Sequence, residues 1–164
     1  MSGLWVEACR LYEAAGVREL CLELQDEHGV DVVVLLAVVW AWRRAVVVEG
    51  ARLDELRART SAWREAVVGP LRDARRALRA DAVAGRYLGV PAGRQADLKS
   101  QVQAAELAAE RCQLEALERL LRGWPTAPTR PPLSTVLAPL APRIGDPDGW
   151  RPLLAAVAAS GDGP

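Results

Sequence analysis

A dense polar cluster at the predicted end of one helix and the start of the next includes Gln25, Asp26, His28 and Asp31. An imidazole beside carboxylates can act as a general base or bind a metal ion, with Asp26 or Asp31 orienting the ring. The same residues suit a structural corner, because Asp31 can cap a helix, His28 can lie at a helix C-terminus and Gln25 can bond backbone groups at neighbouring helix ends. The spacing favours the structural corner, and a small polar pocket remains the alternative.

Metal and cofactor chemistry find little support elsewhere in the sequence. His28 is the single histidine, and no second nitrogen or sulfur ligand lies near it, so no metal site is predicted. Cys9, Cys21 and Cys112 are odd in number and lack metal-type spacing, so neither a disulfide framework nor a cysteine-based zinc site is expected. The chain has no phosphate-binding loop, dinucleotide fingerprint or nucleophile elbow. We therefore predict no catalytic residue and no cofactor.

A second polar constellation consists of four arginines that share one face of a predicted helix, at spacing i, i+3, i+4 and i+7: Arg72, Arg75, Arg76 and Arg79. Guanidinium groups in such a row can bind phosphates of a nucleic acid or another polyanion. No aromatic residue interleaves with them, however, and the chain as a whole carries no net charge. Salt bridges to the acidic first segment, or to Glu106 and Glu110, are the favoured interpretation.

Charge is segregated along the chain although it balances overall. Residues 1–31 contain seven acids and two bases, whereas residues 43–94 contain twelve arginines and six acids. The segregation predicts an acidic helical segment that pairs with a basic one inside the same bundle.

Apolar residues recur at helical spacing from Leu4 to Leu121, which predicts an all-α fold: a compact bundle of five or six helices over residues 3–123. The apolar run Val32–Trp42 is read as a helix buried nearly all round, with Asp31 as its N-cap. It has eleven residues, whereas a membrane span needs about 20, so it cannot cross a bilayer. A long helix is predicted over Gln95–Arg122, and four tryptophans are expected to fill the core: Trp5, Trp40, Trp42 and Trp63.

Other segments are predicted to be turns, loops or extensions. A second short helix is expected around Leu53 and Leu56, followed by a helix that Thr60 or Ser61 caps. Residues 85–93 are predicted to form a loop. Residues 124–164 hold nine of the eleven prolines and are predicted to be a largely flexible tail, with a possible short helix at 150–159.

The chain resembles a bacterial domain family of unknown function with the signature LW…LY…GV…CLxLQDxHGxDVNLLL. The resemblance rests on Leu4-Trp5, Tyr12, Gly16-Val17 and the stretch from Cys21 to Val32, with further likeness at Trp63, Val67–Arg72 and Glu106-Leu107. It covers residues 4–122 and implies no established activity. Val33 replaces an Asn of the family pattern, which alters any polar site that the Asn would join.

These observations favour a non-enzymatic, cytoplasmic protein-interaction or regulatory module. Its predicted surface combines the arginine face with the corner at Gln25–Asp31, and its expected partner is another protein. The first residues show no signal peptide, membrane association is not predicted, and nucleic-acid binding is disfavoured. Pairing of residues 95–122 with a second copy, and a small-molecule-binding or enzymatic site at the corner, remain open.

Overall fold

The computed structural model describes residues 3–78, 89, 91–141 and 147–160. These residues are helical and contain no β-strand beyond one isolated bridge between Val46 and Thr126, so the predicted all-α class is confirmed. The α-helices are α1 (Leu4–Glu13), α2 (Val17–His28), α3 (Val32–Arg43), α4 (Ala51–Trp63), α5 (Gly69–Ala77), α6 (Ala92–Leu121), α7 (Leu133–Leu137) and α8 (Arg151–Ala159). No helix in the described ranges combines the length and apolarity that a membrane span requires.

The chain divides into two compact units, one formed by Met1–Arg57 with Leu114–Pro164 and the other by Ala58–Gln113. Helices α4 and α6 each contribute residues to both units. The units therefore divide the chain differently from the predicted boundary at residue 123.

Helix α3 forms the centre of the first unit. Every residue from Val33 to Ala41 is buried, and α1, α2 and α7 all contact this helix. The apolar run thus folds as the predicted helix, since a segment that is apolar on all sides needs other elements around it. Trp40 is fully buried as predicted, while Trp5 and Trp42 lie at the edge of the core.

A buried ion pair holds the C-terminal end of α3 against α1. The carboxylate of Glu7 lies 2.5 Å from Nη2 of Arg44 and 3.6 Å from Nη1 of Arg43, and Glu7 is 6% exposed. The Arg44 guanidinium also stacks 3.9 Å from the ring of Trp40. Glu7 belongs to the acidic segment, and both arginines stand at the start of the basic one, so these ion pairs join the two segments at this one point within the first unit.

The described part of residues 124–164 packs into the core of the first unit, which differs from the predicted flexible tail. Helix α8 contacts α1 and α2, and its Leu153 is fully buried beside Trp150. Backbone carbonyls of the segment are held by distant side chains: Trp42 Nε1 donates to Pro131 O at 2.7 Å, and Arg57 Nη2 donates to Pro139 O at 3.0 Å. Proline content suggested flexibility, but prolines occupy the first turn of α8 and of the turn Ala138–Leu140, where no N–H is required.

Helix α4 is longer than predicted. It runs unbroken past Thr60, which therefore caps no helix, and continues through a π-helical turn, Arg64–Val68, into α5. The wider turn comes directly before Gly69-Pro70, where proline lacks the N–H that an α-helix would use. The predicted loop at 85–93 lies mostly outside the described residues, and positions 92 and 93 already belong to α6.

We expect Trp150→Ala to lower the free energy of unfolding by about 3–5 kcal/mol, because the deleted ring leaves a cavity in the core. Leu22→Ala is the matched control, since Leu22 is 42% exposed and its loss should change stability by no more than about 0.5 kcal/mol. Urea unfolding measures both. A Trp150 variant no less stable than the Leu22 variant would show that this segment does not belong to the core.

Candidate functional site

Asp31 caps helix α3, as the sequence predicts. Its backbone is extended, and its Oδ1 accepts hydrogen bonds from the N–H groups of Val33 at 3.0 Å and Val34 at 3.3 Å. These N–H groups have no partner inside the helix, so the carboxylate supplies one. The structural role of Asp31 is therefore to cap the first turn of α3.

The preceding helix ends by a glycine turn. Gly29 adopts the left-handed conformation at φ 67°, and the N–H of Val30 reaches back to the carbonyl of Leu24 at 3.0 Å. This arrangement closes α2 at His28 and carries the chain into α3 within three residues. The predicted helix–helix corner is therefore present.

Gln25 does not brace that corner. Its side chain is half-buried, and Nε2 donates to Oδ1 of the adjacent, exposed Asp26 at 3.5 Å. The predicted bonds from Gln25 to backbone groups at neighbouring helix ends are absent among the described residues. A long bond between sequence neighbours leaves Gln25 without the structural role that its spacing suggested.

His28 is the last residue of α2, and it lies beside carboxylates other than the predicted ones. Its Nδ1 atom is buried and has no hydrogen-bond partner in the described part of the chain. One donor atom from each of Glu23, Glu27 and His28 lies within 4.8 Å of the others. Sequence reasoning paired the ring with Asp26 or Asp31 and missed these glutamates, although their i, i+4 spacing directly before the histidine was a usable signal.

Two of the four predicted arginines form an ion-pair cluster in the second unit. Arg72 donates from Nε to Oε1 of Glu106 at 3.2 Å and from Nη2 to Oε1 of Glu110 at 2.8 Å, and Arg75 donates to both oxygens of Glu106. The side chains of Arg72 and Arg75 are 17% and 14% exposed. The favoured salt bridges to Glu106 and Glu110 are thus observed, and these two guanidinium groups do not present an open row to solvent.

Of the two remaining arginines of the row, the structure describes Arg76 alone. Arg76 is half-exposed and lies 3.8 Å from Oδ1 of Asp73, its neighbour on α5. Arg79 lies outside the described residues. The three described arginines of the predicted face are therefore divided between a cluster that links α5 to α6 and an exposed group on α5.

The two glutamates of the cluster have opposite pKa shifts. Burial by itself would raise the pKa of Glu106, but hydrogen bonds and charge from Arg75 and Arg72 outweigh it and lower that pKa. For Glu110, burial dominates over the attraction of Arg72, and the negative charge of Glu106 adds to the effect, so its pKa is raised. The cluster therefore holds one carboxylate firmly ionised beside another that takes up a proton more readily.

The second unit leaves apolar side chains exposed along α6. Leu98 is 48% exposed, and Ala105 and Cys112 are exposed at successive intervals of seven residues, with Val102 half-buried between them. We call Leu98, Val102, Ala105 and Cys112 the Leu98 stripe. Trp63 borders it: the indole Nε1 donates to the carbonyl of Ala109 at 3.1 Å, while the side chain remains 43% exposed. Trp63 was predicted to fill the core, and that prediction is wrong.

No disulfide links the three cysteines, all of which lie within the described residues. Cys21 is buried in the first unit, and burial raises the pKa of its thiol to about 12, which keeps it protonated and unreactive. Cys9 is partly exposed and Cys112 is exposed.

We predict that acidification from neutral pH protonates Glu110 before Glu106. The raised pKa of Glu110 gives stability that is present below its ordinary pKa and lost as pH rises through the raised value. The lowered pKa of Glu106 gives stability that is present above its ordinary pKa and lost as pH falls through the lowered value. Carboxyl ¹³C titration by NMR should show a higher midpoint for Glu110, and Glu106→Gln should lower that midpoint. Equal midpoints or the reverse order would contradict the cluster geometry.

Comparison with known proteins assigns the chain to a family. A family model described as a protein of unknown function, DUF2390, matches residues 3–117, which is more than half of the chain. Searches of curated proteins and of solved structures found no match. The match confirms the resemblance to a domain family of unknown function that the motifs indicated. The chain belongs to the DUF2390 family of proteins of unknown function.

Proposed function

We propose that this chain is a non-enzymatic protein-interaction module of the cytoplasm with a regulatory role. Its binding surface is the Leu98 stripe on α6, bordered by Trp63. The partner is an amphipathic helix of another protein that lays an apolar face along this stripe. The Leu98 stripe replaces the arginine face and the Gln25–Asp31 corner as the favoured binding surface. Several side chains of those two regions make contacts that stabilise the fold.

The observation that carries the proposal is the exposure of large apolar side chains in a unit that buries few of its own. Leu98 and Trp63 are nearly half exposed, whereas the buried residues of the second unit include the polar side chains Thr60, Glu106 and Gln113. Large apolar groups left exposed in a unit with so small a core are typical of surfaces that a partner covers.

The spacing of the stripe supports a helical partner. Leu98, Val102, Ala105 and Cys112 follow one another at intervals of four, three and seven residues, which are spacings found along the seam of a coiled coil. Ala109 completes the four-three alternation but is buried within the second unit. Ala105 allows a partner backbone to approach closely, and Leu98 offers a knob for it. Gln101 and Ala108 on the outer edge of the seam are exposed and uncharged, so that edge imposes no charge repulsion on an incoming helix.

Two alternatives gain less support. Polyanion binding through the arginine face would require Arg72 and Arg75 to leave Glu106 and Glu110, at the cost of uncovering buried carboxylates. A catalytic pocket at the corner would need Asp26 or Asp31 to orient His28, and of these two the Asp31 carboxylate already caps α3.

The test uses a photo-crosslinking amino acid at position 98 or 107 of the full chain, expressed in its native cell. Leu107 is the matched control: it is also 48% exposed, but lies on the opposite side of α6. We expect one protein to crosslink through position 98 and not through 107. Leu98→Glu in a chain with a probe at 105 should abolish that product without loss of helical circular dichroism.

Three results would overturn the proposal. Equal crosslinking from positions 98 and 107 would indicate contact by collision, and no product from position 98 would leave the stripe without a partner. A product consisting only of two copies of this chain would make the surface a self-association face and contradict binding to another protein.

A further inference from the structure

We propose that Glu23, Glu27 and His28 form a binding site for a divalent transition-metal ion of the Zn²⁺ type at the C-terminal end of α2. The site lies in the first unit and shares no residue with the Leu98 stripe, so it does not depend on the proposed interaction function. It also departs from the prediction of no metal site, which considered only nitrogen and sulfur as additional ligands.

The three side chains already stand close enough for one ion to bridge them. Their donor atoms, one imidazole nitrogen and two carboxylate oxygens, lie within 4.8 Å of one another. Zinc ligand lengths near 2 Å require tetrahedral donors to be about 3.4 Å apart, so the most distant donors must draw together by up to about 1.4 Å. Glu23 and Glu27 are both exposed, so rotation about their side-chain bonds can close this gap without moving the helix.

A buried nitrogen of the imidazole is a second observation that points to a ligand at this site. Nδ1 of His28 is buried and has no partner in the described part of the protein. Buried polar atoms without a partner are uncommon, and a bound ion or water is one of the explanations for such an atom. A neutral imidazole nitrogen is the commonest protein ligand for transition metals.

The electrostatics around the site favour a cation. His28 is the final residue of α2, where the helix dipole places partial negative charge. Glu19, Glu23, Asp26 and Glu27 lie on the same helix, against a single arginine, Arg18. A divalent ion at Glu23 and Glu27 would offset the repulsion between two like charges spaced at i, i+4.

The donor set also indicates which ion binds. Mg²⁺ and Ca²⁺ prefer shells made only of oxygen, whereas one imidazole with two carboxylates suits Zn²⁺ and related ions. Three protein ligands leave a further coordination position for water. We therefore expect Zn²⁺ to bind and Mg²⁺ not to compete at similar concentration.

The experiment exploits the single histidine of the chain. The full-length protein, made without a histidine tag and labelled with ¹⁵N, is titrated with zinc chloride while the ring nitrogens of His28 are followed by NMR. We expect a saturable shift of one ring nitrogen at one equivalent of zinc, and no shift with magnesium chloride. Zinc that binds only at Cys112 would leave the ring signals unchanged and so would count against the site.

Variants separate a site from chance binding to the lone imidazole. Glu23→Gln and Glu27→Gln should each raise the zinc dissociation constant by about tenfold or more, since each removes a ligand. Glu19→Gln is the matched control: it removes an exposed acid from the first turn of the same helix and should leave the constant within about twofold. Because all three positions are exposed, folding is not at risk, and circular dichroism verifies it. Zinc affinity unchanged in Glu23→Gln and Glu27→Gln, or no shift of either ring nitrogen, would overturn the proposal.

Discussion

The burial of α3 is the constraint on which the rest of the first unit depends. A helix with no polar side facing water must have its end groups satisfied by neighbours, because backbone groups left unpaired in the interior are costly. Asp31 does this at the first turn of α3, and at the other end Arg44 turns back to donate to the carbonyl of Trp40 at 3.2 Å. The carboxylate of Glu7 on α1 then lies against both Arg43, the last residue of α3, and Arg44, the residue after it.

The polar residues that most resembled a site are accordingly divided between two tasks. Asp31 is required by the fold, since its carboxylate completes the first turn of α3. His28, by contrast, stands just outside that cap with a buried ring nitrogen unpartnered among the described residues. Asp31 and His28 are close in sequence but have different roles. The side chains at the corner that are available to bind a ligand lie on the outward face of α2.

The two units differ in what holds them together. The first has a continuous apolar core that includes Trp40, Trp150 and the leucines of α1, α2 and α8. In the second, Val68 and Ala109 are buried alongside an ion-pair cluster, and α5 buries none of its residues. The second unit has a small core and exposes Trp63 and Leu98. A partner that covers these side chains would therefore stabilise this unit more than a unit whose apolar groups are already buried.

Much of the fold could be predicted from residue spacing, and little of the site could. The helical spacing of apolar residues predicted α1, α2, α3 and α6, because each of these helices has an apolar face, or an entirely apolar surface, that is buried on folding. It could not show that Trp63 stays outside, since periodicity gives the face of a helix but not whether another element covers that face. Residues 124–164 were predicted to be largely flexible because proline interrupts regular structure. Leu133, Leu137 and Leu153, however, pack into the core between the prolines. The glutamates beside His28 were overlooked because exposed acids on a helix ordinarily interact with solvent alone.

The most direct test of this account is the free energy of unfolding of Glu7→Gln, measured by urea denaturation beside Glu13→Gln, an exposed acid of the same helix. Removing the charge leaves Arg43 and Arg44 without their buried counter-ion, so we expect a loss of about 3–5 kcal/mol for Glu7→Gln. Glu13→Gln should change stability by no more than about 0.5 kcal/mol. Equal stability of the two variants would contradict the claim that the buried pair holds the end of α3 against α1 and stabilises the buried helix.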